Sequence, residues 1–263
     1  MSFVLPVLKG GLGNQMFQFA AALVYAKETG KQILLPEEEY NYHRKTEPYG
    51  NTLFRAVKMC LPYPVDQGRM ALLQENGFVK YPGEPGYDEW EVFYMSQNII
   101  LNGYFQNYTN LSRHRQYIQS FFLDALNMVA VEGTPSVGIH VRRGDYLRFS
   151  DIHFLQGGEY YTKALGHFSA DSSFKVFSDD IEWCKQQPYF AGLNSVEFVD
   201  EADEIKCLKI MIQCKGGFIC ANSTYSWWAA FLGAYISGNP VIVPSKWIKD
   251  GVKNLFPSEW IVI

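Results

Sequence analysis

From Val137 onward, apolar runs of strand length alternate with longer amphipathic stretches, and no other feature of the chain restricts its fold as tightly. The runs are SVGIHV, FKVFS, SVEFVD, GFICA and PVIVP; between them lie GEYYTKALGHF, DIEWCKQQ, DEIKCLKIMIQCK and STYSWWAAFLGAYIS. Strand alternating with helix predicts a parallel sheet covered on both faces, so the C-terminal half is Rossmann-like, a doubly wound parallel sheet. The N-terminus repeats the theme once. FVLPVL reads as a strand, GGLGNQ as a loop, MFQFAAALVYAKETG as a helix capped by Gly30, and KQILLP as a second strand. Residues 37 to about 110 are crowded with Tyr, Pro, Gly and Asn and are expected to supply loops or short helices. A polar turn near Glu132 to Pro135 divides the chain into an N-terminal α/β domain, 1–133, and a C-terminal domain, 134–263. Ligands of such folds bind at the carboxyl ends of the strands, here in a cleft between two α/β halves.

The chain has 263 residues, 48% of them hydrophobic, enough for a substantial core. With 23 basic against 27 acidic residues, it has no surface built to attract nucleic acid, and any basic cluster must be focused. No basic leader precedes an apolar stretch and cleavage site, and no window holds about 18 uninterrupted apolar residues, which predicts a soluble, unexported protein. Cys60, Cys184, Cys207, Cys214 and Cys220 form no CxxC pair and leave one thiol over; this suits a reducing compartment and gives no zinc motif. Glycosylation sequons start at Asn107, Asn110 and Asn222, and without a secretory signal they are read as chance matches.

Five places carry residues suited to chemistry. Arg142 and Arg143 follow the strand SVGIHV, where a guanidinium can grip a phosphate bidentately, although both can equally form ion pairs, with Asp145 for example. FSDD ends another strand, so Asp179 or Asp180 can accept from ribose hydroxyls or a base edge, or can cap the next helix. Asn222, Ser223 and Thr224 sit at a helix start, where hydroxyls and amides can hold phosphate oxygens; Trp227 and Trp228 behind them read as core packing. In GGLGNQ, Gly11 and Gly13 match the first two glycines of GxGxxG and Glu37 closes the next strand, but Met16 stands where the dinucleotide fingerprint needs a small residue. His153 can bind an acceptor or handle a proton, or can be structural.

Taken in order, GGLGNQMFQFA, GYFQNYTNL, GIHVRRGDY, VFSDDIEW and ICANSTYSWWAAFLG resemble the α-1,2-fucosyltransferases of glycosyltransferase family 11 over nearly the whole chain. The resemblance implies a GT-B-like α/β fold, two Rossmann-like halves around a cleft, with GDP-fucose on the C-terminal half and the acceptor on the N-terminal half. It implies an enzyme, a galactoside 2-α-L-fucosyltransferase, that transfers L-fucose from GDP-β-L-fucose with inversion to the 2-hydroxyl of a terminal β-galactoside, without metal or cofactor. Carried onto this chain, it puts Arg142 on the donor diphosphate, His140 and Asp145 around the strand-end pocket, and Asp179 along the nucleotide with Asn222, Ser223, Thr224 and Ser226. Gly11, Gly13, Asn14 and Gln15 would face the cleft. Asp145 and His153 are candidates to take the acceptor proton. The chain departs from the family after His153, where Phe154, Leu155 and Gln156 precede Gly157 and Gly158 in place of a short glycine-led turn. Implied partners are GDP-fucose and a galactose-terminated oligosaccharide or glycan, with no nucleic acid, in a bacterial cytoplasmic protein at most peripherally bound to the inner membrane face. Two other classes compete: a nicotinamide-dependent oxidoreductase, which explains the glycine loop and leaves HVRRGD unused, and a non-catalytic carbohydrate-binding protein, which needs no diphosphate pocket. Strand parity distinguishes the two arginines: Arg142 shares the side of His140 and is expected to face the ligand, whereas Arg143 supports the loop.

Overall fold

The computed structural model describes residues 1–35, 49, 53, 54, 57, 66–128, 133–249 and 251–263. Glu37, Cys60 and Glu132 lie outside the described residues, as does most of the stretch directly after the second strand. The chain divides into two compact units, residues 1–127 with 253–257, and residues 128–252 with 258–263.

The first unit runs β1 (Phe3–Pro6), α1 (Leu12–Thr29), β2 (Gln32–Ile33), α2 (Gln67–Glu75), β3 (Phe78–Lys80), β4 (Asn98–Leu101), α3 (Tyr108–Ser112) and α4 (Arg115–Ala125). Its four strands are all parallel, in the order β2-β1-β4-β3. Helix α1 is buried almost all round from Leu12 to Tyr25, which its Ala- and Phe-rich sequence allows, and it ends at Gly30 in the left-handed conformation (φ 71°). Two expectations change. The segment GGLGNQ is not a loop throughout, because α1 already starts at Leu12. The region up to residue 110 also holds more than loops and short helices, since β4 lies beside β1, with Leu5 opposite Ile100, and β3 forms the edge. Four-residue NIIL shows no usable period by itself; its strand character comes from pairing with a segment more than 90 residues away.

In this unit the sequon residues are structural. The Asn107 carboxamide nitrogen donates to Tyr87 O at 2.9 Å while Asn107 itself is fully buried, and Asn110 Oδ1 accepts from Trp90 N at 3.0 Å. Among the described residues no helix is long and apolar enough to cross a membrane.

The second unit follows the predicted alternation: β5 (Val137–Val141), a 3-10 turn (Asp145–Leu147), α5 (Gly158–Leu165), β6 (Phe174–Ser178), α6 (Ile181–Lys185), α7 (Pro188–Ala191), β7 (Val196–Val199), α8 (Glu204–Ile212), β8 (Gly217–Ile219), α9 (Thr224–Leu232), β9 (Val241–Val243) and β10 (Ile261–Val262). The sheet is wholly parallel with the order β10-β9-β8-β5-β6-β7, which reads 3-2-1-4-5-6 from the β7 edge when its strands are numbered within the unit. That is the doubly wound order, and the winding reverses between β5 and β8. Strand β10, only two residues long, has no signal in the sequence and completes the edge beside β9.

Strand β5 is buried on both faces. Val137, Ile139 and Val141 pack with Tyr160, Tyr161, Ala164 and Phe190. On the other face Gly138 lies under Phe218, and the His140 ring meets the Tyr225 ring edge-on at 5.7 Å. Asp203 starts α8 by accepting from Ile205 N and Lys206 N at 2.9 and 3.0 Å.

A Cβ at Gly138 would run into the buried Phe218 ring. Gly138→Ala is therefore expected to cost about 1–3 kcal/mol, as overpacking in a closed core does. Urea unfolding checks this; an unchanged midpoint would show that the Phe218 ring moves aside freely there.

Candidate functional site

The place where the winding reverses is where chemistry-bearing side chains of the second unit collect. Arg142, directly after β5, pairs through one terminal nitrogen with Asp145 at 2.8 Å and through the other with Asp179 at 3.0 Å. Its guanidinium also lies 5.7 Å from the Tyr146 ring centre. Burial works against the charge, and the carboxylates of Asp179 and Asp145 more than offset it, so the Arg142 pKa lies above its ordinary value. Two pairs leave donors of the five-donor guanidinium uncommitted by them.

Arg143 turns elsewhere. Its Nε donates to Asp180 at 3.1 Å, and its guanidinium stacks 3.7 Å from the centre of the Trp183 ring. Its backbone N–H donates to Asp179 Oδ1 at 2.9 Å, so Asp179 holds both the strand-end backbone and the neighbouring guanidinium. The adjacent acids of FSDD thus divide two tasks: Asp179 serves Arg142, while Asp180 caps α6, accepting from Trp183 N at 3.3 Å. A Cβ at Gly144 would lie 2.5 Å from Asp179 Oδ2, which explains the glycine in the RRGD run.

A second layer joins β5 to β8. Tyr146 donates to Asn222 O at 2.8 Å and stacks on His153, with centres 4.0 Å apart and planes within 6°. Tyr160 donates to Cys220 O at 2.6 Å, and Tyr161 to His140 O at 3.2 Å, so a tyrosine holds a carbonyl near the end of each strand. The Asn222 amide nitrogen donates to Phe154 O and Trp247 O at 2.9 and 2.8 Å, tying three segments together and leaving its Oδ1 buried without a partner. Ser226 is fully buried and accepts from Ala221 N at 3.1 Å, closing the turn into α9. Ser223 stands at the N-cap position of α9 with its hydroxyl uninvolved in capping; Thr224 begins the helix, whose first turn contains no acid. Trp227 and Trp228 are fully buried core residues.

Burial and the nearby Arg142 lower the pKa of both site histidines. His140 is buried, and burial first and Arg142 second push its pKa down from 6.5 to about 3, with Nδ1 lacking a partner. His153 is lowered by burial and by Arg142, against an opposing pull from Asp145, and its Nδ1 is likewise unpartnered. A neutral imidazole with an open nitrogen can accept a proton.

In the first unit, the residues after β1 form a separate, rigid polar turn. Gly10 is left-handed (φ 78°), and Gly11 is the N-cap of α1 without a side-chain cap. Gly13, Asn14 and Gln15 lie in the first helical turn. Gln15 Nε2 donates to Gly10 O at 3.0 Å, leaving Oε1 buried and unpartnered, and Asn14 Oδ1 accepts from Gln106 Nε2 at 2.9 Å. Gln18 clasps Lys9, accepting from its N–H at 2.8 Å and donating to its carbonyl at 3.1 Å. Met16 is fully buried in the core, so the helix does not make the close approach that a third fingerprint glycine provides.

Six of the residues singled out in the sequence therefore gather at the carboxyl ends of the inner strands β5, β6 and β8, with direct interactions among their loops: His140, Arg142, Asp145, His153, Asp179 and Asn222. Ser223 and Thr224 adjoin them at the helix start, while Ser226 lies inside the turn. Gly11, Gly13, Asn14 and Gln15 belong to the other unit. Tyr146, Tyr160 and Gln106 were not foreseen. The tyrosine roles had no local signal, since each reaches a carbonyl at least 60 residues away. Among the described residues, no group of three or more His, Cys, Asp or Glu is placed to hold a metal ion, and the four described cysteines are all free thiols.

The depressed His140 pKa has a signed consequence. Above pH 6.5 the ring is neutral folded and unfolded; below it, only the unfolded chain takes up the proton, so stability falls as pH drops toward 3, by up to about 1.4 kcal/mol per pH unit from this one group. His140→Gln should flatten that decline. Urea unfolding of both proteins between pH 4 and 7 checks it, and parallel profiles would refute it.

The sequence matches the model of Glycosyl transferase family 11 over residues 6–263. It is 29% identical to an alpha-1,2-colitosyltransferase of Escherichia coli, the match covering 100% of this chain and 99% of that protein. It is 26% identical to the galactoside 2-alpha-L-fucosyltransferase Sec1 of Mus musculus over 86% of this chain and 63% of that one. Among solved structures, apo POFUT1 aligns with 92% of this chain and 97% of its own at 14% identity and a TM-score of 0.49. With one family profile running from the first strand through the strand-end arginines to the last residue, the chain belongs to glycosyl transferase family 11.

Proposed function

We propose that the chain transfers L-fucose from GDP-β-L-fucose, with inversion, to the 2-hydroxyl of a terminal β-galactoside. Membership of a glycosyltransferase family removes the oxidoreductase and the passive carbohydrate binder. The observation that supports a nucleotide-diphosphate donor is Arg142, a guanidinium held by two carboxylates at the reversal point of a doubly wound sheet. Departure of GDP builds negative charge on the diphosphate and positive charge on the sugar. A preorganised guanidinium, with the N-terminus of α9, stabilises the first without a metal ion. In the resting protein Asp145 is occupied by Arg142, and a diphosphate that draws the guanidinium toward itself loosens that pair. Asp145, or the neutral His153 beside it, is then available to take the acceptor proton.

A second donor has a specific reason behind it, the similarity to a colitosyltransferase. Colitose is fucose without its 3-hydroxyl. A site that hydrogen-bonds that hydroxyl rejects the deoxy sugar by about 10⁴-fold or more, whereas a site that only surrounds it discriminates about 100-fold or less. Side-by-side kcat/KM values for GDP-fucose and GDP-colitose on a panel of β-galactosides, with the product linkage assigned by NMR, test the proposal. Preference for GDP-fucose and an α-1,2 product are expected; preference for GDP-colitose or another linkage overturns it.

Arg142→Ala is expected to lower turnover by roughly a hundredfold to a thousandfold, a loss of about 3–4 kcal/mol of transition-state stabilisation. Arg142→Lys should rescue little, because a point charge does not reproduce the fork. Arg143→Ala should act mainly on the thermal melt. Turnover in Arg142→Ala close to that of the unaltered enzyme, or a larger kinetic loss in Arg143→Ala with folding intact, would contradict these roles. Activity should also survive chelator; abolition by chelator with restoration by magnesium or manganese would show that a metal takes part.

Gly13 lies in helical backbone, which alanine adopts without strain, so Gly13→Ala is expected to keep its melting temperature and lose turnover where a ligand approaches the turn. Normal kinetics in the folded variant would make that glycine structural.

A further inference from the structure

The loop that carries Tyr146 and His153 also carries apolar side chains that fold stability does not require. Leu147, Phe149, Ile152 and Leu155 are 48, 51, 55 and 40% exposed, four of the twelve exposed large apolar residues among the described ones, within nine positions. The other eight are scattered singly along the chain, as is ordinary for a protein surface.

The backbone beneath these side chains is held firmly. Phe149 N and Arg148 N bond to Asp145 O, His153 N to Phe149 O, and Lys249 N to Ile152 O at 3.2 Å. Gln156 Nε2 donates to Lys246 O at 2.8 Å, and the Asn222 amide bridges Phe154 O and Trp247 O. The loop is thus fastened to the segment 245–249 and carries four exposed apolar groups within nine positions, a density of the kind that marks a contact surface.

Charge identifies the partner. Across 147–156 and 245–249 the charged residues are Arg148, Lys246 and Lys249 against Asp151 alone, a local excess of two positive charges in a chain whose net charge is −4. All four of these residues are exposed. Exposed apolar residues with basic residues in the same two segments match an anionic lipid surface, where apolar tips enter the headgroup boundary and cations meet lipid phosphates.

We propose that this face, built from Leu147, Phe149, Ile152 and Leu155 with Arg148, Lys246 and Lys249, docks the protein on an anionic membrane surface. The inference goes beyond the transfer reaction and does not depend on the sugar donor. It would place the strand-end site, which shares the loop, at the lipid boundary.

The experiment is co-sedimentation of the full chain with vesicles of phosphatidylcholine alone or with about one-third phosphatidylglycerol. Binding is expected to the anionic vesicles only, and to weaken at about 0.5 M salt. Phe149→Asp with Ile152→Asp, both exposed and outside the proposed machinery, should lower partitioning by roughly tenfold or more with an unchanged thermal melt. Lys246→Glu with Lys249→Glu, which alters charge and leaves the apolar tips, should also weaken it. Failure of the folded protein to bind anionic vesicles overturns the proposal, as does equal binding by the Phe149→Asp, Ile152→Asp protein. Self-association in sedimentation velocity that this variant abolishes, without vesicle binding, would assign the face to a second copy of the chain and overturn it equally.

Discussion

A strand buried on both faces can show polar side chains to a ligand only at its end, and the second unit is arranged around that restriction on β5. Its odd-numbered residues pack against α5 and α7, its even-numbered ones against Phe218 and Tyr225, so neither face has room for a site. Polarity begins at Arg142. The neighbouring strands end at the same level, because the sheet is parallel and in register, with Val141 opposite Ser178. Asp179 therefore arrives beside Arg142, and Asn222 arrives after β8 from the other side. A site made of strand ends follows from the parallel order itself.

The pairing at these ends sets the electrostatics of the resting protein. Two arginines stand among Asp145, Asp179 and Asp180, so the cluster is not a bare cationic pocket. Holding a guanidinium between two carboxylates fixes its plane before any ligand arrives, which lowers the entropy lost on binding. The same carboxylates would compete with any anion brought to that guanidinium. His140 adds no charge, since burial keeps it neutral, and its contribution is shape and one open nitrogen.

Much of this is legible in the residues, for identifiable reasons. The five longest strands of the second unit are rich in apolar and β-branched residues, and most of the helices between them show an apolar stripe or a cap residue such as Asp180 or Asp203. The failures are equally specific. NIIL of β4 and IV of β10 are too short to have a period, and the parallel neighbours that make them strands lie far off in the chain. The helix start at Leu12 was hidden because two glycines ahead of it suggest loop, although glycine suits an N-cap and the first turn needs no internal hydrogen bond. The pattern NSTYS records nothing of what the Asn222 amide bonds to, since Phe154 and Trp247 lie far from it in the chain.

By itself the sequence determined the α/β class, the parallel second sheet, the strand end at Arg142 and the unequal facing of two consecutive arginines, because side-chain alternation along a strand and helix periodicity are local properties. The tertiary structure alone decided that β3 and β4 complete the first sheet, that Asp179 serves Arg142 while Asp180 serves the next helix, and that Tyr146 and Tyr160 hold the ends of distant strands. Those outcomes depend on which strand ends meet at one end of a sheet, and that is set by pairing between segments tens of residues apart, where no local pattern records the partner.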